Sequence, residues 1–281
     1  MRYFEPQFQV ATLMAPQQRL LSKIGGAPWG LPADLWPTCC GRPQKLLAQL
    51  CHEPPMLDLG AEGSVLHLFQ CLECLGIGTK EGGAFIVHRS VLHEGLSTIA
   101  GYDLPAEYGS PLIGEVWITG WKEHDDGIPS ARLPEFFDER RLWKLHDEFP
   151  QIDWFGSRGM TKSGGSPRWT GNGPMDYPRP PFEFLLQIDD YLYIDGPPPS
   201  PDAVGTSVEY YTQSSTNGSI DRVLQSPVSK KLPLNAPWFI LHERGSNCYY
   251  LAFTNLASDG TAFVFIDRTK SPCGARWYFN R

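Results

Sequence analysis

The chain has no apolar run of the roughly 18 residues that a membrane-spanning helix needs. Its opening, Met1-Arg2-Tyr3-Phe4-Glu5-Pro6, lacks the apolar core of a signal peptide, so the expected location is the cytoplasm, away from any membrane. Charge is sparse and tilted: charged residues make up 20% of the 281, with 24 Lys+Arg against 31 Asp+Glu and a formal net charge of −7. Such a chain lacks the cationic surplus that neutralises phosphates, which argues against direct nucleic-acid binding. It suits a basic protein partner, although mild acidity also keeps a protein in solution. The seven cysteines are odd in number and irregularly spaced, unlike a disulfide scaffold.

Catalytic signatures are scarce too. There is no Gly-x-x-x-x-Gly-Lys-Ser/Thr phosphate loop and no Gly-x-Ser-x-Gly elbow. Gly76-Ile77-Gly78-Thr79-Lys80-Glu81 has a glutamate where a dinucleotide fingerprint needs its third glycine. The pairs His52-Glu53, His93-Glu94 and His242-Glu243 lack the second histidine of a metalloprotease helix. The expectation is a protein that is not an enzyme and carries no cofactor.

Glycine and proline are abundant, at 28 and 26 residues, and favour many short strands over a helical bundle. Within that background the chain repeats itself. Ser22-Lys23-Ile24-Gly25-Gly26-Ala27-Pro28-Trp29 is echoed by Thr161-Lys162-Ser163-Gly164-Gly165-Ser166-Pro167-Arg168-Trp169. An aromatic-proline pair follows each copy, Trp36-Pro37 and Tyr177-Pro178. Next comes an apolar stretch bearing glutamine, with Gln49 in the first copy and Gln187 in the second. The Lys-to-Gln spacing differs by a single residue. Gly63–Gln70 and Gly260–Asp267 then each read as a glycine turn followed by a strand. The second copy has a much longer interval before that strand, opening with Gly196-Pro197-Pro198-Pro199-Ser200-Pro201, which cannot join a ladder or a helix. It reads as an insertion: a loop leading into extra strands.

The expected fold class is therefore α+β and mainly β, internally duplicated, with two pseudo-equivalent halves and few helices. Residues 1–150 form the first half plus a bridging helix, and residues 151–281 the second half with its insertion, together one compact unit. Strands are expected at Leu112 to Trp121, Phe182 to Ile194, Ser207 to Tyr211, Trp238 to Leu241, Cys248 to Thr254, Thr261 to Ile266 and Ala275 to Phe279. The helix is expected from Pro134 to Phe149, with Leu142, Leu145 and Phe149 on one face. A shorter one is expected at Gln17 to Leu21.

The Lys-x-Gly-Gly element is read first as a turn needing positive φ, and second as an anion cradle for Lys23 or Lys162. Gln49 and Gln187 are expected to be buried amides satisfied by backbone groups of that turn. Cys39, Cys40, Cys71 and Cys74 have some of the spacing of a zinc site, but reduced thiols with no required ion are favoured, because adjacent cysteines rarely share one metal. Acids gather at Glu123-His124-Asp125-Asp126-Gly127, and Tyr210-Tyr211 adjoins Glu209 in the insertion. The candidate partner contacts are Asp125, Asp126, Glu209, Tyr210 and Tyr211, combining acid with aromatic anchors.

The order Lys-x-Gly-Gly-x-Pro, aromatic-Pro, Gln-bearing strand, then glycine and an apolar strand resembles the YwqG-like family of bacterial proteins. Ser258–Ile266 followed by Ala275-Arg276-Trp277 is similar to that family's ending. The resemblance, which extends distantly to programmed cell death protein 2, implies a duplicated, mostly β fold and protein binding. Some bacterial members occur in toxin–immunity loci. The expected function is thus a cytoplasmic immunity protein, in a toxin–antitoxin or type VI secretion setting, that binds a basic cognate toxin such as a nuclease. The alternatives are a dedicated chaperone of a basic, ribosomal-type protein and a hydrolase with an unrecognised site.

Overall fold

A computed structural model describes residues 1–10, 17–71, 83–97, 99, 115–150, 161–169, 174, 177–189, 191–196, 207–213, 220–223, 239–243, 248–252 and 260–280. The first part supplies β1 (Arg2–Val10), β2 (Lys23–Gly25), β3 (Thr38–Cys39), β4 (Arg42–Pro43), β5 (Lys45–Cys51), β6 (Ser64–Gln70), β7 (Ala84–His88) and β8 (Glu115–Asp125). After α1 (Glu139–Glu148) come β9 (Lys162–Gly164), β10 (Phe182–Asp189) and β11 (Tyr191–Asp195). They are followed by β12 (Ser207–Gln213), β13 (Ile220–Val223), β14 (Phe239–Glu243), β15 (Cys248–Ala252), β16 (Thr261–Asp267) and β17 (Gly274–Asn280). The fold is α+β and mainly β.

Ten strands make one antiparallel sheet in the order β17-β16-β10-β9-β1-β8-β2-β5-β6-β7. The sheet curls until its ends meet. Trp277 on β17 donates its indole N–H to the carbonyls of Phe69 and Gly83, both at 3.2 Å. Gly83 has to be small there, since a Cβ would lie 2.6 Å from the Trp277 Nε1. A curled sheet leaves fewer open edges than a flat one.

The order is mirrored about the β1/β8 pair. β2 lies between β5 and β8, while β9 lies between β10 and β1. The long strand preceding each Lys-x-Gly-Gly turn thus sits beside the turn strand of the other half. Gly25 and Gly26 have φ of 70° and 71°, and Gly164 and Gly165 have 71° and 65°, so both copies make the turn that L side chains resist. β5 and β10 each carry an irregularity just before their glutamine, between Leu46 and Ala48 and between Phe184 and Leu186.

Both faces of this sheet are covered, which is why β6 and β16 are buried along their whole length and read as near-continuous apolar runs. One face holds a core drawn from both halves, including Ile24, Leu66 and Val116 with Leu186, Ile188 and Val264. On the opposite face, Leu31 and Trp36 cover Leu46 and Phe69 in the first half. In the second half Phe136, Leu142, Leu145 and Trp169 cover Phe263 and Phe265. The insertion contributes β11 to β15, a second sheet in the order β11-β15-β14-β12-β13, whose β12 and β14 run parallel.

Several sequence expectations need correction. The helix expected from Pro134 is split: Ser130–Phe137 is a 3-10 helix containing Pro134, and α1 begins only after Asp138. Asp138 ends the first segment and caps the second by accepting from the backbone N–H groups of Arg140 and Arg141. Residues 17–21 are not helical, since none of them carries a helical assignment. β1 was not expected, because Pro6 and the charged Arg2 and Glu5 obscure its alternation. Pro6 is tolerated because β9 pairs with β1 only at Tyr3 and Phe4, so that among the described residues one side of Pro6 has no ladder partner; the register irregularity falls further on, between Gln7 and Phe8. The run Pro197–Pro201 lies outside the described residues.

Candidate functional site

The Lys-x-Gly-Gly turns hold two buried lysines. Lys23 Nζ donates to Gln17 Oε1 at 2.8 Å and to Glu115 Oε2 at 3.1 Å. Burial lowers its pKa, and the Glu115 carboxylate opposes that shift. Lys162 Nζ donates to the Ser166 carbonyl and lies 4.7 Å from the centre of the Tyr3 ring. Tyr3 stands opposite Gly164 as Glu115 stands opposite Gly25, so an aromatic face in one half occupies the place of a carboxylate in the other. Burial and the nearby Arg168 cation push Lys162 down to about 7. Neither ammonium group reaches solvent, so these turns do not present an anion cradle.

The two glutamines occupy matching settings. Gln49 Oε1 accepts from the Trp29 N–H at 2.7 Å, and its Nε2 donates to the Leu21 carbonyl at 3.0 Å. Gln187 Oε1 accepts from the Arg168 N–H at 2.9 Å, while its Nε2 has no partner among the described residues. The partners flank the Gly-Gly pair rather than belonging to it. Across the sheet, Lys23, Gln49, His67 and Phe85 form one row, and Lys162, Gln187, Phe263 and Tyr278 form the corresponding row. His67 therefore stands where the second half has phenylalanine. It is buried and stacks on Phe85 at 5.4 Å; among the described residues neither ring nitrogen makes a well-formed hydrogen bond, although the Val65 backbone lies close enough to favour the protonated ring.

The expected contact residues separate. Asp125 is exposed, with its side chain at 65%, and it accepts from the Gly127 N–H. Asp126 has a side chain only 1% exposed. Its carboxylate accepts from the Met1 amine at 2.6 Å, from the Ile128 N–H, and from both the N–H and hydroxyl of Ser166. Burial alone would raise its pKa, but these donors outweigh burial and hold it below the usual carboxylate value. Asp126 ties the ends of β1 and β8 to the second Gly-Gly turn and has no surface left for a partner, which corrects its place among the contacts. Glu209, Tyr210 and Tyr211 lie on β12, whose backbone is paired on both sides by β13 and β14.

Two features were missed at the sequence level, and a third was weighed there and set aside. The first is Trp143 on α1, 53% exposed. Glu139 and Asp147 lie one turn to either side of it, and its ring meets that of His146 at 5.2 Å. Trp143 falls off the face set by Leu142 and Leu145, and that placement is the signal that could have found it. The second is an open cleft of ≈ 510 Å³ between residues 30–34 and 93–97, lined in part by Asp34, His93 and Glu94. Backbone bonds lace its walls together, from Gly30 to Gly95 and from His93 to Gly30. No hydrogen bond or ion pair joins its three ionisable side chains to one another. The third is a meeting of cysteines: the sulfurs of Cys39, Cys40 and Cys71 all lie within 4.8 Å of one another. Cys74 lies outside the described residues.

Among the described residues no helix is long and apolar enough to cross a membrane. No family model matches the chain, and no curated protein matches it.

Proposed function

We propose that this chain is a YwqG-like, internally duplicated protein that acts by stoichiometric contact with another protein, as the cytoplasmic immunity partner of a basic antibacterial toxin. The observation that carries this is Trp143, a large aromatic left exposed on a short helix between two acids. Tryptophan is among the residues enriched at binding hot spots. Glu139 and Asp147, with Asp125 further along the chain and a net charge of −7, would steer a cationic partner and raise its association rate at low salt. Trp143 would then slow dissociation.

The test mixes the purified protein with the toxin encoded beside its gene and measures binding and residual toxin activity. Equimolar inhibition is expected, with Trp143→Ala weakening affinity by roughly 30-fold, the effect of losing a hot spot of about 2 kcal/mol. Protection at far below equimolar amounts would overturn a binding mechanism. A chaperone of a basic ribosomal-type protein would use the same surface, and it is distinguished by release of an active client instead of inhibition. The cleft holding Asp34, His93 and Glu94 is the one observation favouring a hydrolase. If His93→Ala abolishes protection while binding persists, that alternative replaces the first.

A further inference from the structure

We propose that Cys39, Cys40 and Cys71 bind a thiophilic divalent cation, zinc in the reduced protein, as a staple between a hairpin and the end of a core strand. This goes beyond the binding function proposed above and does not depend on it. It also departs from the sequence-level expectation of thiols with no required ion, whose basis was the adjacency of Cys39 and Cys40. In an extended chain, neighbouring side chains point to opposite faces and could not share a metal.

The hairpin removes that objection. β3 and β4 pair Thr38 with Pro43 and Cys39 with Arg42, leaving Cys40-Gly41 as a two-residue turn. Cys40 and Gly41 have φ of 51° and 72°, positive at both central positions as in a type I′ hairpin. Cys40 is the only residue other than glycine with positive φ among those described. Asparagine or aspartate is the usual choice at that position, so a cysteine there calls for a reason beyond the turn. Its effect is to swing the Cys40 sulfur to the side of Cys39, 3.8 Å away. Cys71, just past β6, brings a third sulfur from a buried position.

The Cys39–Cys40 spacing matches a metal, and the Cys71 sulfur lies within 4.8 Å of both. Zinc–sulfur bonds of about 2.3 Å in a tetrahedron set neighbouring sulfurs about 3.8 Å apart. A disulfide would hold two sulfurs at about 2.0 Å, far closer than this pair. Three thiols that each release a proton to solvent and bind one Zn²⁺ as thiolates supply three corners, and one further donor from protein or solvent completes the shell. Soft thiolates select zinc over magnesium or calcium, which prefer oxygen. The metal would fasten the segment carrying Trp36, which covers Phe69, to the end of the strand bearing Phe69.

The test uses the full chain, purified under reducing conditions without chelator. About one zinc per chain is expected by elemental analysis, and Co²⁺ added to the stripped protein should give an intense thiolate-to-cobalt charge-transfer band with tetrahedral ligand-field bands. Cys40→Ser, at an exposed position that leaves the core intact, and Cys71→Ser should both lose stoichiometric zinc and the cobalt band. Cys273→Ser should keep both. Zinc well below stoichiometry in the wild type with no cobalt band would overturn the proposal. So would zinc retained in Cys40→Ser, or a protein whose only change at these residues is an oxidised cysteine pair by mass.

Discussion

Replacing His67 by phenylalanine should stabilise the protein, and more so in mild acid. His67 is fully buried between aromatic rings, and among the described residues neither ring nitrogen makes a well-formed hydrogen bond. Leaving a buried polar group without a partner costs about 1–3 kcal/mol. Phenylalanine removes that cost, adds a little volume at a penalty of about 1 kcal/mol, and reproduces Phe263 of the corresponding row. A net gain of about 1 kcal/mol is expected near neutral pH. Burial drives the His67 pKa down to about 3; a hydrogen-bonding interaction with the Val65 backbone opposes the shift, and the nearby Lys23 cation adds to it. In the unfolded chain the ring titrates at about 6.5. Between those values the unfolded state binds the proton and the folded state does not, so folding loses about 1.4 kcal/mol for each pH unit below 6.5. From about pH 7.5 to about pH 5 the wild type therefore loses about 2 kcal/mol that His67→Phe keeps. Urea unfolding at both pH values reads this directly. At a slope of about 3 kcal/mol/M, the gap between the two midpoints should widen by about 0.7 M on acidification. Every other titrating group is common to both proteins and cancels in the difference. A gap that stays constant with pH would refute a neutral, desolvated His67. A mutant less stable than wild type at neutral pH would show that the ring nitrogens have a partner after all.

Two further outcomes follow from the same rows and seam. Gln49→Leu strips partners from both the Trp29 N–H and the Leu21 carbonyl, so it should destabilise by roughly 2–4 kcal/mol, whereas Gln187→Leu orphans only the Arg168 N–H and should cost about half as much. Equal losses in thermal or urea unfolding would contradict the pairing. Trp277→Phe keeps the ring packing but removes the indole donor that joins β17 to the carbonyls beside β7, and should cost about 1–2 kcal/mol. Hydrogen exchange should then quicken at Phe69, whose own N–H donates to the Gly83 carbonyl between β6 and β7, at the edge that Trp277 meets; unchanged exchange there would mean the sheet ends are held by something other than Trp277.

Much of the mainly β character was legible in the chain itself. Gly-Gly turns, the strand beginning at Thr261 and the strands of the Pro-rich insertion announce themselves through local chemistry: positive φ is open to glycine, and β-branched and aromatic runs between turn residues have few other uses. The repeat also showed Lys and Gln recurring at nearly one spacing, Lys23 to Gln49 and Lys162 to Gln187, but not that they stand opposite each other across the sheet. What the chain could not declare is which strands lie side by side. β1 and β8 cross to the opposite halves, and only their packing turns Glu115 and Tyr3 into the partners of two buried lysines. Asp126 looked like any acid in a solvated loop until the start of β1 and the second Gly-Gly turn closed around it. Cys39 and Cys40 looked unable to share a ligand until one left-handed residue turned the chain, and Cys71 joined them from another strand. Burial, pKa and ligand geometry depend on what approaches a side chain from distant sequence, and only the folded sheet supplies those neighbours.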